Sequence, residues 1–154
     1  MAISVRPARV EEAEALTELA LRAKASWGYD EVFMAACRTE LTLTPEKIAA
    51  WRVWVAEADG AVAGMIALSL NGAAEVEDFF VEPAFQGRGV GAALMATLLE
   101  AARSVGATAL EVDADPNAEA IYAKLGFETF SRSPSGSIAG RWLPRMRRPL
   151  TGGS

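Results

Sequence analysis

Apolar and polar positions change their period several times along this chain. Ile3 to Arg6 reads as a short strand closed by Pro7, and residues 10–23 then switch to a helical stripe. That stripe is Val10, Ala13, Leu16, Leu19, Ala20 and Ala23, with Glu11, Glu12, Glu14 and Glu18 on the opposite side. The acidic residues crowd its first half, where the helix dipole favours negative charge. From Trp27 to Leu43 the pattern breaks at Gly28 and resumes as helix through Val32, Phe33, Ala36 and Cys37. Thr44-Pro45 then opens another short helix, with threonine at the cap and proline in the first turn.

The period next shortens. Trp51 to Ala58, the turn Asp59-Gly60 and the run Ala61 to Leu70 spell a hairpin; Asn71-Gly72 turns the chain again into a strand over Glu75 to Val81. After Pro83 the helical stripe returns as Val90, Leu94, Leu98, Ala101 and Val105, ended by Gly106. A strand at Ala109–Asp113, a short helix at Pro116–Lys124 and two strands, Phe127–Ser131 and Gly140–Arg148, complete the order. The strand–helix–strand unit over 75–113 requires a right-handed parallel crossover. The expected fold is therefore α/β of the α+β kind: a mixed, mostly antiparallel twisted sheet of about seven strands flanked by about four helices. One domain spans residues 1–150, and 151–154 read as a disordered tail.

Composition removes several chemistries. The chain has no histidine, so Ser-His-Asp and Cys-His nucleophile systems and a His-ligated metal are excluded. Its one cysteine, Cys37, lacks a base partner and reads as a buried small residue; no internal disulfide can form, which suits the cytoplasm. A net charge of −5 argues against nucleic acid as a partner. The basic segment Arg141–Arg148 is expected to be a strand with solvated arginines. No run reaches the roughly 18 apolar residues of a membrane span, and the N-terminus lacks the layout of a signal peptide. Carboxylates, tyrosine, backbone donors or a bound coenzyme must carry the chemistry.

The decisive segment is Gln86-Gly87-Arg88-Gly89-Val90-Gly91, between a strand and an amphipathic helix. Glycines there let the backbone approach a ligand closely, and the helix that follows presents its positive end, so the place suits a phosphate or pyrophosphate. Ala92-Ala93 follow Gly91 where a nucleotide-triphosphate loop needs Lys and Ser/Thr. Gly87, Gly89 and Ala92 also match the dinucleotide fingerprint, with Glu111 at a suitable distance, which keeps a dinucleotide-binding oxidoreductase as a remote alternative. That fingerprint, however, places its first glycine almost directly after the strand, and here Glu82–Gln86 intervenes.

These residues resemble the GNAT N-acetyltransferase superfamily. Gln86, Gly89 and Gly91 match its Q/R-x-x-G-x-G/A motif; Asn117 followed by Tyr122, four residues before Gly126-Phe127, resembles its second hallmark. The interval from Asn117 to Tyr122 is shorter than in many relatives. The resemblance implies acetyl-coenzyme A as co-substrate, no metal, and a primary amine of a small molecule, amino acid derivative or peptide end as acceptor. It implies that the backbone of Phe79, Phe80 and Val81 holds the pantetheine arm. The amides over Gly87, Arg88, Gly89, Val90, Gly91 and Ala92 would hold the pyrophosphate. Asn117 would lie near the thioester and Tyr122 beside the sulfur. An acyl-coenzyme A sensor of the same fold, without turnover, is the alternative.

Direct attack by an amine needs a base. Glu75, Glu77, Asp78 and Glu111 are the available carboxylates, and strand parity puts Glu75 and Glu77 on one face with Asp78 on the other unless a bulge intervenes. By position relative to Gln86, the resemblance implies Glu75 as base in the manner of the histone-acetylating branch, or Glu111 as in the branch acting on protein N-termini. It further implies that Trp27, Tyr29 and Phe33 form an acceptor wall, with Glu77 beside it. The loop Ser133–Ser137 is expected to close over the acceptor, and the open sheet edges leave a homodimer available.

Overall fold

In a computed structural model, residues 2–150 are described; the tail assigned to 151–154 lies outside them. The first strand, β1 (Ile3–Pro7), leads through a short 3-10 turn into α1 (Ala13–Ala25). That entry is held by Arg6, whose guanidinium donates to both oxygens of Glu12 at 2.9 Å, while Glu12 also accepts from the Arg9 amide at 2.8 Å. Helices α2 (Glu31–Leu41) and α3 (Pro45–Ala50) follow, each begun by a side-chain cap: Asp30 accepts from the Phe33 amide, and Thr44 from the Lys47 amide. The short helix expected at Thr44-Pro45 is separate from α2, and the α-helices among the described residues number five.

Next come β2 (Arg52–Ala58), β3 (Ala61–Ser69) and β4 (Ala74–Val81), and from β1 to β4 each strand is antiparallel to the next. Asp59 and Gly60 both adopt positive φ, the twist a tight hairpin demands. Then α4 (Val90–Ser104), β5 (Ala109–Asp113), α5 (Glu119–Lys124), β6 (Glu128–Pro134) and β7 (Trp142–Pro149) complete the chain. The sheet order is β1-β2-β3-β4-β5-β7-β6.

Each face of the sheet is covered. On one face Leu94, Leu98 and Ala102 of α4 pack on Ile66, Leu68, Val76 and Leu110, with Tyr122 and Phe127 in the same cluster. On the other, Leu16 and Leu19 of α1 and Ile48 of α3 pack on Val53, Val55, Met65 and Ala67. Gly64 admits the start of α4: a Cβ there would lie 2.9 Å from the Phe80 carbonyl oxygen and 3.1 Å from Val90 and Leu94.

Two irregularities create the site. First, β4 carries a bulge: Ala67 pairs with Asp78 but Leu68 pairs with Val76, so Glu77 is the extra residue. Parity is reset by that residue. Val76 before the bulge and Phe79 and Val81 after it pack in the α4-side cluster, whereas Phe80 packs on the α1 side. Asp78, one residue from Phe79, therefore turns away from α4, unlike the alternation expected without a bulge. Second, β4 and β5 pair in parallel only at Ala74–Leu110 and Glu75–Glu111, and then diverge.

That short ladder sets two glutamates opposite each other. Arg145 of β7 resolves the repulsion, because its Nη2 donates to Glu75 and, at 2.7 Å, to Glu111, while Nη1 lies 3.2 Å from Asp113. Burial works against the charge on Arg145, but these bonds prevail and raise its pKa above the usual guanidinium value. The arginines of β7 are thus not simply solvated: Arg145 is mostly buried among carboxylates, and only Arg147 keeps an exposed side chain with a loose 4.0 Å approach to Glu111.

Arg145→Gln should lower stability by about 2 kcal/mol, read by urea or thermal unfolding, because two part-buried glutamates lose their shared cation. Adding Glu111→Gln should restore a good part of the loss; no restoration would show that repulsion between the glutamates is not what Arg145 relieves.

Candidate active site

Where β4 and β5 diverge, a cavity of about 900 Å³ opens through the sheet toward the start of α4. Its upper wall is β4 from Glu75 to Val81, which past Glu75 has no strand partner on the β5 side. The far wall is Val112 and Asp113 of β5 with Tyr122 of α5. At one end lies the glycine loop, at the other the junction of α1, α2 and the β6–β7 loop.

The glycine loop has the conformation its sequence requires. Gly87 and Gly89 have φ of 75° and 88°, a region costly for residues with a Cβ, and Gly89 is the N-cap of α4. The first amides of α4 have no intrahelical acceptor and carry the positive end of a 15-residue helix dipole. Gly91 lets this helix start close to β4, since a Cβ would come within 3.3 Å of the Phe79 ring. Gln86, Gly87, Gly89, Val90, Gly91 and Ala92 all line the cavity. Arg88 does not; it lies over the Phe85 ring at 5.7 Å. A concave run of free amides beside an unpaired strand edge fits a pyrophosphate joined to an extended, amide-containing arm.

Tyr122 is buried and meets Phe79 and Phe127 edge-on, with ring centroids 5.8 Å and 5.3 Å away. Burial first, and then the nearby charge of Asp78, push its phenol pKa above the ordinary value. Asp78 is the sharper feature. The residue is half-buried on the cavity wall, and its carboxyl has no partner among the hydrogen bonds of the described residues. Burial raises its pKa to about 7; Lys47 opposes the rise, and Glu77 and Glu40 add to it.

The other carboxylates are engaged. Glu75 lines the cavity but is held by Arg145, as is Glu111, which does not line it. Glu77 lines the cavity and accepts from Ser69 Oγ at 2.6 Å. Of the aromatic residues, Trp27 reaches the cavity, joined by Trp51 of the β2 entry. Tyr29 and Phe33 instead stack on each other with centroids 3.9 Å apart. The Tyr29 hydroxyl lies 2.9 Å from both oxygens of Asp115 and accepts from Arg141 at 2.6 Å and from the Asn117 amide at 2.8 Å. Arg141 also covers the Phe33 ring at 4.9 Å, and Lys24 bonds Asp115 at 3.1 Å. Asn117 is thereby turned into a knot that ties α1, α2, the β5–α5 turn and the β6–β7 loop. The knot edges the cavity through Lys24, Asp115 and Arg141 without Asn117 itself lining it. Two signals for this were present in the sequence, Asp115 before Pro116 and the basic run of β7, but only the fold shows that they meet.

The Ser133–Ser137 segment does border the cavity, through Pro134 and Gly136, and the Ser137 hydroxyl approaches the buried Cys37 sulfur at 3.5 Å.

Against this geometry, a family model described as an acetyltransferase (GNAT) domain matches residues 14–149. The chain belongs to the GNAT acetyltransferase family. Solved structures agree. The GCN5-related N-acetyltransferase from Rhodopseudomonas palustris is 26% identical, with a TM-score of 0.79 over 97% of this chain and 99% of that one. PaiA N-acetyltransferase from Thermoplasma acidophilum, in complex with coenzyme A, has the same TM-score at 19% identity and covers 97% and 100%. The ribosomal-protein-S18-alanine N-acetyltransferase from Escherichia coli is 19% identical, with a TM-score of 0.69 and coverage of 99% and 98%. A search of curated proteins returns no sequence match. This GNAT domain is thus an acetyl-coenzyme A-dependent acyltransferase in the broad sense. Among its described residues no helix is long and apolar enough to cross a membrane.

Gly89→Glu should abolish acetyl-coenzyme A binding in calorimetric titration while the far-ultraviolet spectrum keeps its helix and strand content. Unchanged affinity would remove the loop from the coenzyme site.

Proposed function

We propose that this GNAT domain transfers acetyl from acetyl-coenzyme A to a primary amine by direct attack in a ternary complex, with Asp78 as base and Tyr122 as hydrogen-bond donor at the sulfur. The observation that carries this reading is the unpaired Asp78 carboxyl, which lines the same cavity as Tyr122, acts on its phenol electrostatically and lies near the crotch of the β4–β5 fork. Glu75 and Glu111, the positions favoured by family analogy, share Arg145, whose Nη2 donates to both, so each is already engaged by a cation.

The magnitudes favour Asp78. An alkyl ammonium near pKa 10.4 lies about 6.5 units above an ordinary aspartate. Against a carboxyl at about 7 the gap is about half of that. Each unit removed lowers the cost of deprotonation by about 1.4 kcal/mol. Asp78 therefore gains basicity from its burial and from Glu77 and Glu40, and remains ionised in a useful fraction at neutral pH.

Bound acetyl-coenzyme A would supply the thioester, its phosphates on the amides from Gly87 to Ala92 and its arm along Phe79, Phe80 and Val81. Tyr122 stays protonated throughout the physiological range, since burial raises its pKa. The phenol lies further above a thiol near 8.5 than in water, so it donates a strong hydrogen bond to departing sulfur instead of surrendering its proton outright. The Phe79 and Phe127 rings fix its orientation.

Asp78→Asn should reduce kcat/KM by about 100-fold or more and remove the rise near pH 7 from the pH profile. The stability sign runs opposite. A folded pKa above the unfolded value means that stability from Asp78 is present below about pH 4 and is lost as pH rises through about 7. Above pH 7 the asparagine variant should therefore melt higher than the parent. A retained step near pH 7 in that variant would assign the base elsewhere. Tyr122→Phe should lower kcat by about 10- to 100-fold with acetyl-coenzyme A affinity preserved; unchanged kcat would end its role at the sulfur.

A further inference from the structure

Carboxylates outnumber cations on the cavity wall, where Glu40, Glu75, Glu77, Asp78, Asp113 and Asp115 face Lys24, Lys47 and Arg141. Lys24 and Arg141 are drawn to Asp115. Glu75 and Asp113 are drawn to Arg145. What remains are the carboxylates of Glu40, Glu77 and Asp78, facing a single cation, Lys47. The other three each act on Asp78: Lys47 favours its ionisation, and the two glutamates penalise it. Lys47 is itself occupied by the Thr42 carbonyl at 2.8 Å and by the Trp51 ring at 5.7 Å.

With Asp78 ionised, these four groups carry a surplus of two negative charges, while the trio of Lys24, Arg141 and Asp115 carries one positive charge in excess. One protonated amine, the reacting one, removes half of that surplus. A second positive charge on the same molecule removes the rest, at Glu40 and Glu77, which are exposed and whose attraction is therefore modest and screened by salt. Placement of Glu40 points the same way. Its Oε2 lies over the backbone of Gly136, so close that a Cβ there would stand 2.6 Å from it. The β6–β7 loop thus leaves room for the carboxylate to hold its position above the cavity. Trp27 and Trp51 supply apolar surface for a methylene chain between the two charges.

We infer that the acceptor is an aliphatic diamine or longer polyamine, bound with its reacting amine at Asp78 and its distal ammonium between Glu40 and Glu77. This rests on the acetyltransferase reading and names the substrate class of the same site.

The test compares diaminobutane with n-butylamine, both by calorimetric titration into the coenzyme A-saturated protein and by thiol release with acetyl-coenzyme A. The diamine should bind and react at least about tenfold better, an advantage that shrinks with added salt. Glu40→Gln and Glu77→Gln should each cut that preference by about threefold while coenzyme A affinity stays the same. Gly136→Ala, which keeps every charge but displaces the Glu40 carboxylate, should weaken the preference as well. Equal binding and turnover of the two amines, or a preference untouched by all three variants, would overturn the inference and leave the acetyltransferase reading standing. Selective diamine binding with no thiol release would uphold the charge argument and overturn the catalytic one.

Discussion

The fork between β4 and β5 is the constraint on which the rest of this molecule depends. A parallel pair that continued past Glu75–Glu111 would fill the sheet and leave no cavity. One that did not form at all would separate the two halves of the sheet. Arg145 permits the intermediate case. It bridges the two glutamates that the ladder sets face to face and reaches Asp113 on the same strand as Glu111. Like charges directly opposite each other destabilise a strand pair, so the arginine acts where the sheet has least to hold it together.

From that point the two ends of the cavity differ in charge for separate reasons. The end at α4 is positive because of backbone: left-handed glycines and the unbonded first amides of a helix. The opposite end is negative because of side chains, and the bulge at Glu77 is what brings Asp78 round to it. On the proposed reading, a coenzyme rich in phosphate and an amine acceptor go to opposite ends, with Tyr122 between them. Tyr122 and Asp78 also influence each other: burial raises both, and the aspartate's charge adds to the rise at the phenol. One carboxyl becomes a stronger base while its neighbour becomes a firmer hydrogen-bond donor.

Aromatic residues near the acceptor end divide between recognition and support. Trp27 and Trp51 face the cavity, whereas Tyr29 and Phe33 form the centre of a polar knot with Asp115, Asn117 and Arg141. Burial and hydrogen bonding to Asp115 raise the Tyr29 pKa, so its hydroxyl remains a donor to that carboxylate. The backbone amide of Asn117 and Lys24 outweigh burial at Asp115 and keep it ionised. The knot joins segments as far apart in sequence as Tyr29 and Arg141, and it fixes the β6–β7 loop whose Gly136 accommodates Glu40.

The sequence by itself determined the order of elements, because each is encoded locally: helical stripes at Leu16–Ala23 and Val90–Ala102, strand runs around the Asp59-Gly60 turn, and glycines where the backbone takes positive φ. The proposed coenzyme end was legible for the same reason, since Gln86 to Gly91 is one continuous segment whose backbone would do the binding. What only the tertiary structure decided is the acceptor end. Whether Glu75, Glu77, Asp78 or Glu111 is free depends on a one-residue bulge and on an arginine 34 residues beyond Glu111. Pattern alone carries neither fact. A bulge is a register choice between strands, and an ion pair across β4, β5 and β7 exists only once their pairing is set. Tyr29, Phe33 and Asn117 show the same limit: their residue types suit a binding wall, and only the packing around Asp115 and Arg141 turns them into a brace.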